Sequence, residues 1–125
     1  MGYGISHLIV NPAGGAIATD MDPNGSPPLE PRIFQTPSRT SDRADLGIFL
    51  YAAPTGGMDI TVQIWAFDRE LNRWFARGGA VACPADVMTT LVNTSPAVPD
   101  GATLFAQVTA NNGVTRLGIG AYESR

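Results

Sequence analysis

Four segments of the chain alternate apolar and polar residues with a period of two. "ADLGIFLYAA" (44–53) sets Leu46, Ile48 and Leu50 on one face and Phe49 and Tyr51 on the other. "DITVQIWAF" (59–67) turns Ile60, Val62, Ile64 and Ala66 inward and Thr61, Gln63 and Trp65 outward. "TLFAQVTA" (103–110) groups Leu104, Ala106 and Val108 opposite Phe105, Gln107 and Thr109, and "VTRLGIGAY" (114–122) aligns Leu117, Ile119 and Ala121. Such alternation is the mark of half-buried strands. "PTGG" (54–57) and "PDG" (99–101) read as turns, and "NNG" (111–113) is a strong hairpin signal. Shorter segments near 74–83 and 87–93 supply further strands. Frequent turn signals with little helical pattern predict an all-β, antiparallel body: a sandwich or a small barrel.

One stretch admits a second reading. In "AFDRELNRWFARGG" (66–79), Phe67, Leu71 and Trp74 or Phe75 fall at helical spacing, with Asp68 placed to cap the start and Gly78 the end. A hairpin with its loop at 68–73 is preferred, because "ITVQIWAF" runs straight into it and "WFARGGAV" reads as the returning strand. A helix would align Arg69, Arg73 and Arg77; the hairpin would not.

The first 42 residues break the alternation. They hold six of the ten prolines, including four in "DPNGSPPLEP" (22–31), together with Gly14-Gly15 and Asn24-Gly25. Their apolar pieces are short: "ISHLIV" (5–10), "AIA" (16–18) and "RIF" (32–34). This predicts an extended N-terminal arm (1–42) before a β-sandwich body (43–125). Fully extended, such an arm spans up to roughly 140 Å, against a radius of gyration near ~14 Å for the body. Ordering its backbone costs about 1–2 kcal/mol per residue, so something must clamp it. Its apolar pieces suit strand addition to a neighbour's sheet edge, with Ile5, Leu8, Ile9, Val10, Arg32, Ile33 and Phe34 as the contact residues. Deleting residues 1–42 is expected to leave a folded body that no longer associates.

Composition points the same way. Charged residues are 15% of the chain, below the roughly 25% usual for soluble domains. A sparsely charged surface suits a protein covered by neighbours. The net charge is -3 with no basic tract, which argues against direct nucleic-acid binding. All eight cations are arginine, which tolerates interfaces and forked bonding to carboxylates. The longest apolar run is too short to cross a bilayer, and the N-terminus has no basic start followed by an apolar stretch.

Catalytic constellations are not evident. The single histidine, His7, reads as a strand position, and the single cysteine, Cys83, as a buried small hydrophobe. One His and one Cys cannot make a structural zinc site within one chain, and no cofactor is expected. "DMDPNG" (20–25) has oxygens at alternate positions, but Pro31 stands where a calcium loop needs its late acid. None of the Gly-Gly pairs has a phosphate-loop ending. Tyr51, Trp65 and Trp74 are candidate glycan-stacking or interface aromatics. "NTS" (93–95) is followed by Pro96, which weakens it as a glycosylation acceptor.

The strand-and-turn pattern of "DLGIFLYAAPTGGMDITVQIWAFD", the Trp of "RWFARGG" and "VPDGATLFAQVTANNGVTRLGIGAYE" resembles the small β-sandwich, jelly-roll-like structural proteins of tailed bacteriophage virions: capsid decoration, cement and head-fibre proteins. The resemblance covers about 80 residues and has no diagnostic motif, so no functional residue carries over individually. It implies a non-enzymatic virion subunit, a homo-oligomer with a trimer favoured, bound to the major capsid or other virion proteins and assembled in the host cytoplasm. The alternatives are a carbohydrate-binding module on a fibre or spike, and a tail or neck connector.

Overall fold

The structure is a computed structural model that describes residues 3–10, 17–25, 33–35, 47–55, 59–94 and 103–124. These are all-β; none of the described residues is helical. The strands are β1 (Tyr3–Val10), β2 (Ile33–Gln35), β3 (Gly47–Thr55), β4 (Ile60–Asp68), β5 (Arg73–Cys83), β6 (Thr89–Thr94), β7 (Thr103–Asn111) and β8 (Arg116–Ser124). They form two four-stranded antiparallel sheets, in the orders β1-β8-β3-β6 and β2-β7-β4-β5.

The β4 alternation is seen as expected: Ile60, Val62, Ile64 and Ala66 are buried, and the residues between them are half-buried. These four join Leu104, Ala106 and Val108 of β7, Leu91 and Val92 of β6, and Leu117 and Ile119 of β8 in one core. Both sheets therefore contribute to the same apolar cluster. Removing that area from water, at about 25 cal/mol per Å², is the main term holding them.

Residues 68–73 form the hairpin loop and not a helix. Asp68 Oδ1 accepts from the backbone N–H of Glu70 (2.9 Å) and Leu71 (3.1 Å), and Asn72 takes the left-handed conformation (φ 52°) that closes the turn. The period of two wins because Phe67 and Trp74 become cross-strand partners.

"NNG", in contrast, makes no hairpin. β7 and β8 lie in different sheets, and the turn carries the chain from one to the other. Asn111 fixes this corner: its Nδ2 donates to the carbonyls of Val114 (2.9 Å) and Ile17 (2.7 Å), and its Oδ1 accepts from Val114 N–H (2.9 Å). Val114 then drops into the core. A buried anchor immediately after the turn prevents the chain from returning beside β7.

Where the first 42 residues are described, they pair with the chain's own strands. Tyr3–Val10 pairs along its whole length with β8, from Tyr3 opposite Glu123 to Val10 opposite Arg116. Ile33–Gln35 pairs with Phe105, Leu104 and Thr103 of β7. Between them, Ile17 is buried in the core, and its N–H donates to the Val114 carbonyl (2.9 Å). These pieces find backbone partners on the chain's own sheets, where no second molecule has to be recruited. Arg32 lies outside the described residues, as do 26–31 and 95–102.

Candidate functional site

The strap and the aromatic face. Residues 17–25 start beside β7 and end at β5. Asp20 N–H donates to the Val108 carbonyl (2.9 Å), and Asp20 Oδ2 accepts from Val108 N–H (3.0 Å). The segment therefore continues the edge of β7 past the end of the three-residue β2. Asp22 to Gly25 then form the turn expected of "DPNG": Gly25 N–H reaches the Asp22 carbonyl (2.9 Å) and Asn24 N–H reaches Asp22 Oδ1 (2.7 Å). The turn aims the Asn24 carboxamide at Trp74, where Nδ2 donates to the carbonyl (2.8 Å) and Oδ1 accepts from the N–H (2.9 Å). A carboxamide offers the same donor and acceptor pair as a peptide group, so Asn24 caps the backbone of the edge strand β5. Pro23 is buried.

Beneath this strap lie the outward-facing side chains of β7, β4 and β5. Phe105 and Gln107, on the face opposite Leu104, Ala106 and Val108, are both buried as well. Gln107 Oε1 accepts from Trp65 Nε1 (2.7 Å). Trp74 packs against Phe67 (centroids 5.1 Å apart) and edge-on to Phe105 (6.0 Å). The two tryptophans singled out in the sequence thus share one face, both half-buried. Tyr51 is on β3, in the other sheet, so the three do not form a single row.

The hairpin groove. A groove of about 320 Å³ opens beside the β4–β5 turn, lined by Phe67, Asp68, Arg69, Glu70, Phe75 and Arg77 among others. The register sets Phe75 opposite Ala66 and Arg77 opposite Ile64. Both therefore stand on the core-facing side of β5, at its outer margin. Arg77 is half-buried, and its Nε is buried without a hydrogen-bond partner. Sequence reading did not select Arg77 as a site residue. The legible signal was a cation, Arg77, at a strand position whose alternation sets it on the same face as Phe75.

Cys83, at the other end of β5, is buried, and burial pushes its thiol up to about 11 despite a hydrogen bond with Thr89. At neutral pH it is a protonated, inert group. Among the described residues there is no cluster of three or more His, Cys, Asp and Glu that could hold a metal ion. No helix of the described residues is long and apolar enough to cross a membrane.

The predicted contact residues Ile5, Leu8, Ile9 and Val10 lie on β1, and Ile33 and Phe34 on β2. β1 and β2 are terminal strands of their sheets. β5 contacts β6 and β3, and β4 contacts β6, across the sheets. That sets β5 and β6 on one side and leaves β1 and β2 at the other. No family model, curated protein or solved structure matches the chain.

Proposed function

We propose that this chain is a structural subunit of a virion, of the capsid decoration or cement type, folded as a jelly-roll sandwich. The strand pairs support the architecture: β1 with β8, β2 with β7, β3 with β6 and β4 with β5. That is the pairing of one long antiparallel ribbon wound around a common core, with β3–β8 and β4–β7 contacts joining its turns.

One observation carries the functional reading. The apolar N-terminal pieces form the terminal strands on one side of both sheets, so two neighbouring backbone edges face the same direction. Terminal strands are templates for pairing with another chain. On this reading the N-terminal segment works as an edge built into the subunit, where a neighbouring subunit or a major capsid protein adds a strand. The low charge content fits such a covered surface. The product is a homo-oligomer, a trimer being favoured, and the work is mechanical: no catalysis and no cofactor are needed.

Light scattering on the purified chain, with and without Leu8→Lys or Ile9→Lys, tests this. Successive strand residues point to opposite faces, so one of these substitutions places its charge on the solvent side of β1. That variant is expected to keep the wild-type amide spectrum and to dissociate the oligomer. A wild-type chain that stays monomeric at every concentration, and is absent from mass spectra of purified virus particles, would remove the proposal.

A further inference from the structure

We infer that the groove beside the β4–β5 hairpin binds a small organic acid, with Arg77 as the receptor for its carboxylate and Phe75 as the wall for its apolar body. This goes beyond the assembly reading and does not depend on it.

Arg77 carries the case. The residue is half-buried, and its Nε–H is buried without an acceptor. A buried donor left unmade is costly, and native structures rarely keep one without a use. The acids that line the groove do not serve this donor; Asp68 turns one carboxylate oxygen to the Glu70 and Leu71 amides and shapes the hairpin. Phe75, two residues from Arg77 on the same side of the strand, is 37% exposed. Its ring is steadied by the Arg73 guanidinium, 5.9 Å from the centroid. An exposed ring beside an unpaired guanidinium, in a groove of about 320 Å³, matches the few polar groups and apolar walls of small-molecule sites.

Charge selects among anions. The lining includes two arginines, Arg69 and Arg77, and two acids, Asp68 and Glu70. These four offset one another, and Arg73 beside Phe75 leaves one net positive charge, which a monoanion matches and a phosphate dianion exceeds. A monocarboxylate needs only one guanidinium edge, and the pair of terminal nitrogens offers that strong forked contact without uncovering the buried Nε. The rest of the ligand is then a flat apolar ring against Phe75.

The test follows the Arg77 Nε–H and Phe75 amide resonances while benzoate is added to the intact chain, with inorganic phosphate as the control. Benzoate is expected to move both signals saturably, and phosphate at equal concentration to leave them. Arg77→Gln should abolish the Phe75 response, and Arg77→Lys should weaken binding about tenfold, because an ammonium cannot make the fork. Glu70→Gln should tighten it about twofold by removing a like charge at a water-exposed distance. Should both Arg77 variants misfold, the wild-type Nε–H signal and Glu70→Gln still decide. No saturable shift, an unchanged response in folded Arg77→Gln, or an equal response to phosphate overturns the inference. So does a shift that follows protein concentration without added acid, which would assign the carboxylate to a second copy of the chain.

Discussion

β7 and β5 belong to the same sheet and both pair with β4, yet their surroundings are opposite. From Leu104 to Val108 every residue of β7 is buried. Along β5 only Cys83, its last residue, is buried, and seven of the eleven are exposed. Alternation does not explain the contrast, because β7 carries polar and apolar residues on its two faces as β4 does. What differs is what lies outside. The strap bonds to Val108 and Gln107, and Trp74 with Trp65 seals the space over Phe105 and Gln107. From the described residues of the strap, β5 receives the Asn24 clasp at Trp74. A segment too short to build a core of its own thus decides how dry a neighbouring strand becomes.

The contrast is easiest to break by truncating one large side chain on each strand. Leu104→Ala removes a fully buried group that touches the shared core and is expected to cost about 3 kcal/mol in urea unfolding. Phe75→Ala, at the exposed margin, should cost no more than about 1 kcal/mol. Equal losses would mean that β5 is covered by something beyond the described residues.

How much of this was legible follows the same line. The strands β4, β7 and β8 and the hairpin at 68–73 could be read because each is fixed by near neighbours: alternation, Asp68 at the turn, and Phe67 facing Trp74. The corner at Asn111 could not, because the local pattern of "NNG" is the same for a hairpin and for a crossing between sheets. The outcome there depends on Ile17, 94 residues away. "ISHLIV" and "RIF" were recognisable as strand-like pieces, but their partners β8 and β7 come from the other end of the chain. Arg77 was obscured for a related reason. Its unpartnered Nε depends on how the acids of the groove are placed in three dimensions.

Asn24→Ala sharpens the comparison from the strap's side. It deletes two hydrogen bonds to the Trp74 backbone, which are exposed, so the expected loss is about 1–2 kcal/mol. The structural consequence should be larger than the energetic one. With the clasp gone, the strap is held only at its β7 end, and water gains access to Trp65 and Gln107. Tryptophan emission should shift to the red and amide exchange at Val108 should quicken, while β5 amides beyond Phe75 stay unchanged. An unaltered emission spectrum would separate the burial of β7 from the strap.

The smallest effect lies within β5 and tests why so long an edge strand stays open. Two steps along β4, from Val62 to Ile64, match four along β5, from Val81 to Arg77. The surplus residues bulge around Gly78, whose φ is +74°, and Gln63 Nε2 donates to the Gly78 carbonyl (2.7 Å). A bulge twists an edge out of register for pairing, one of the devices that keep edges from joining. A Cβ at Gly78 or at Gly79 would meet nothing within 4 Å, so space does not distinguish the two. Backbone conformation does. Gly78→Ala places an L side chain in the left-handed region and should cost about 1 kcal/mol, whereas Gly79→Ala should stay within about 0.5 kcal/mol of wild type. If Gly78→Ala relieves its strain by flattening the bulge, the straightened edge becomes available for pairing, and the variant should self-associate through β5 where the wild type does not. Identical stabilities and identical association for the two variants would show that the bulge protects nothing, and that the openness of β5 has another cause.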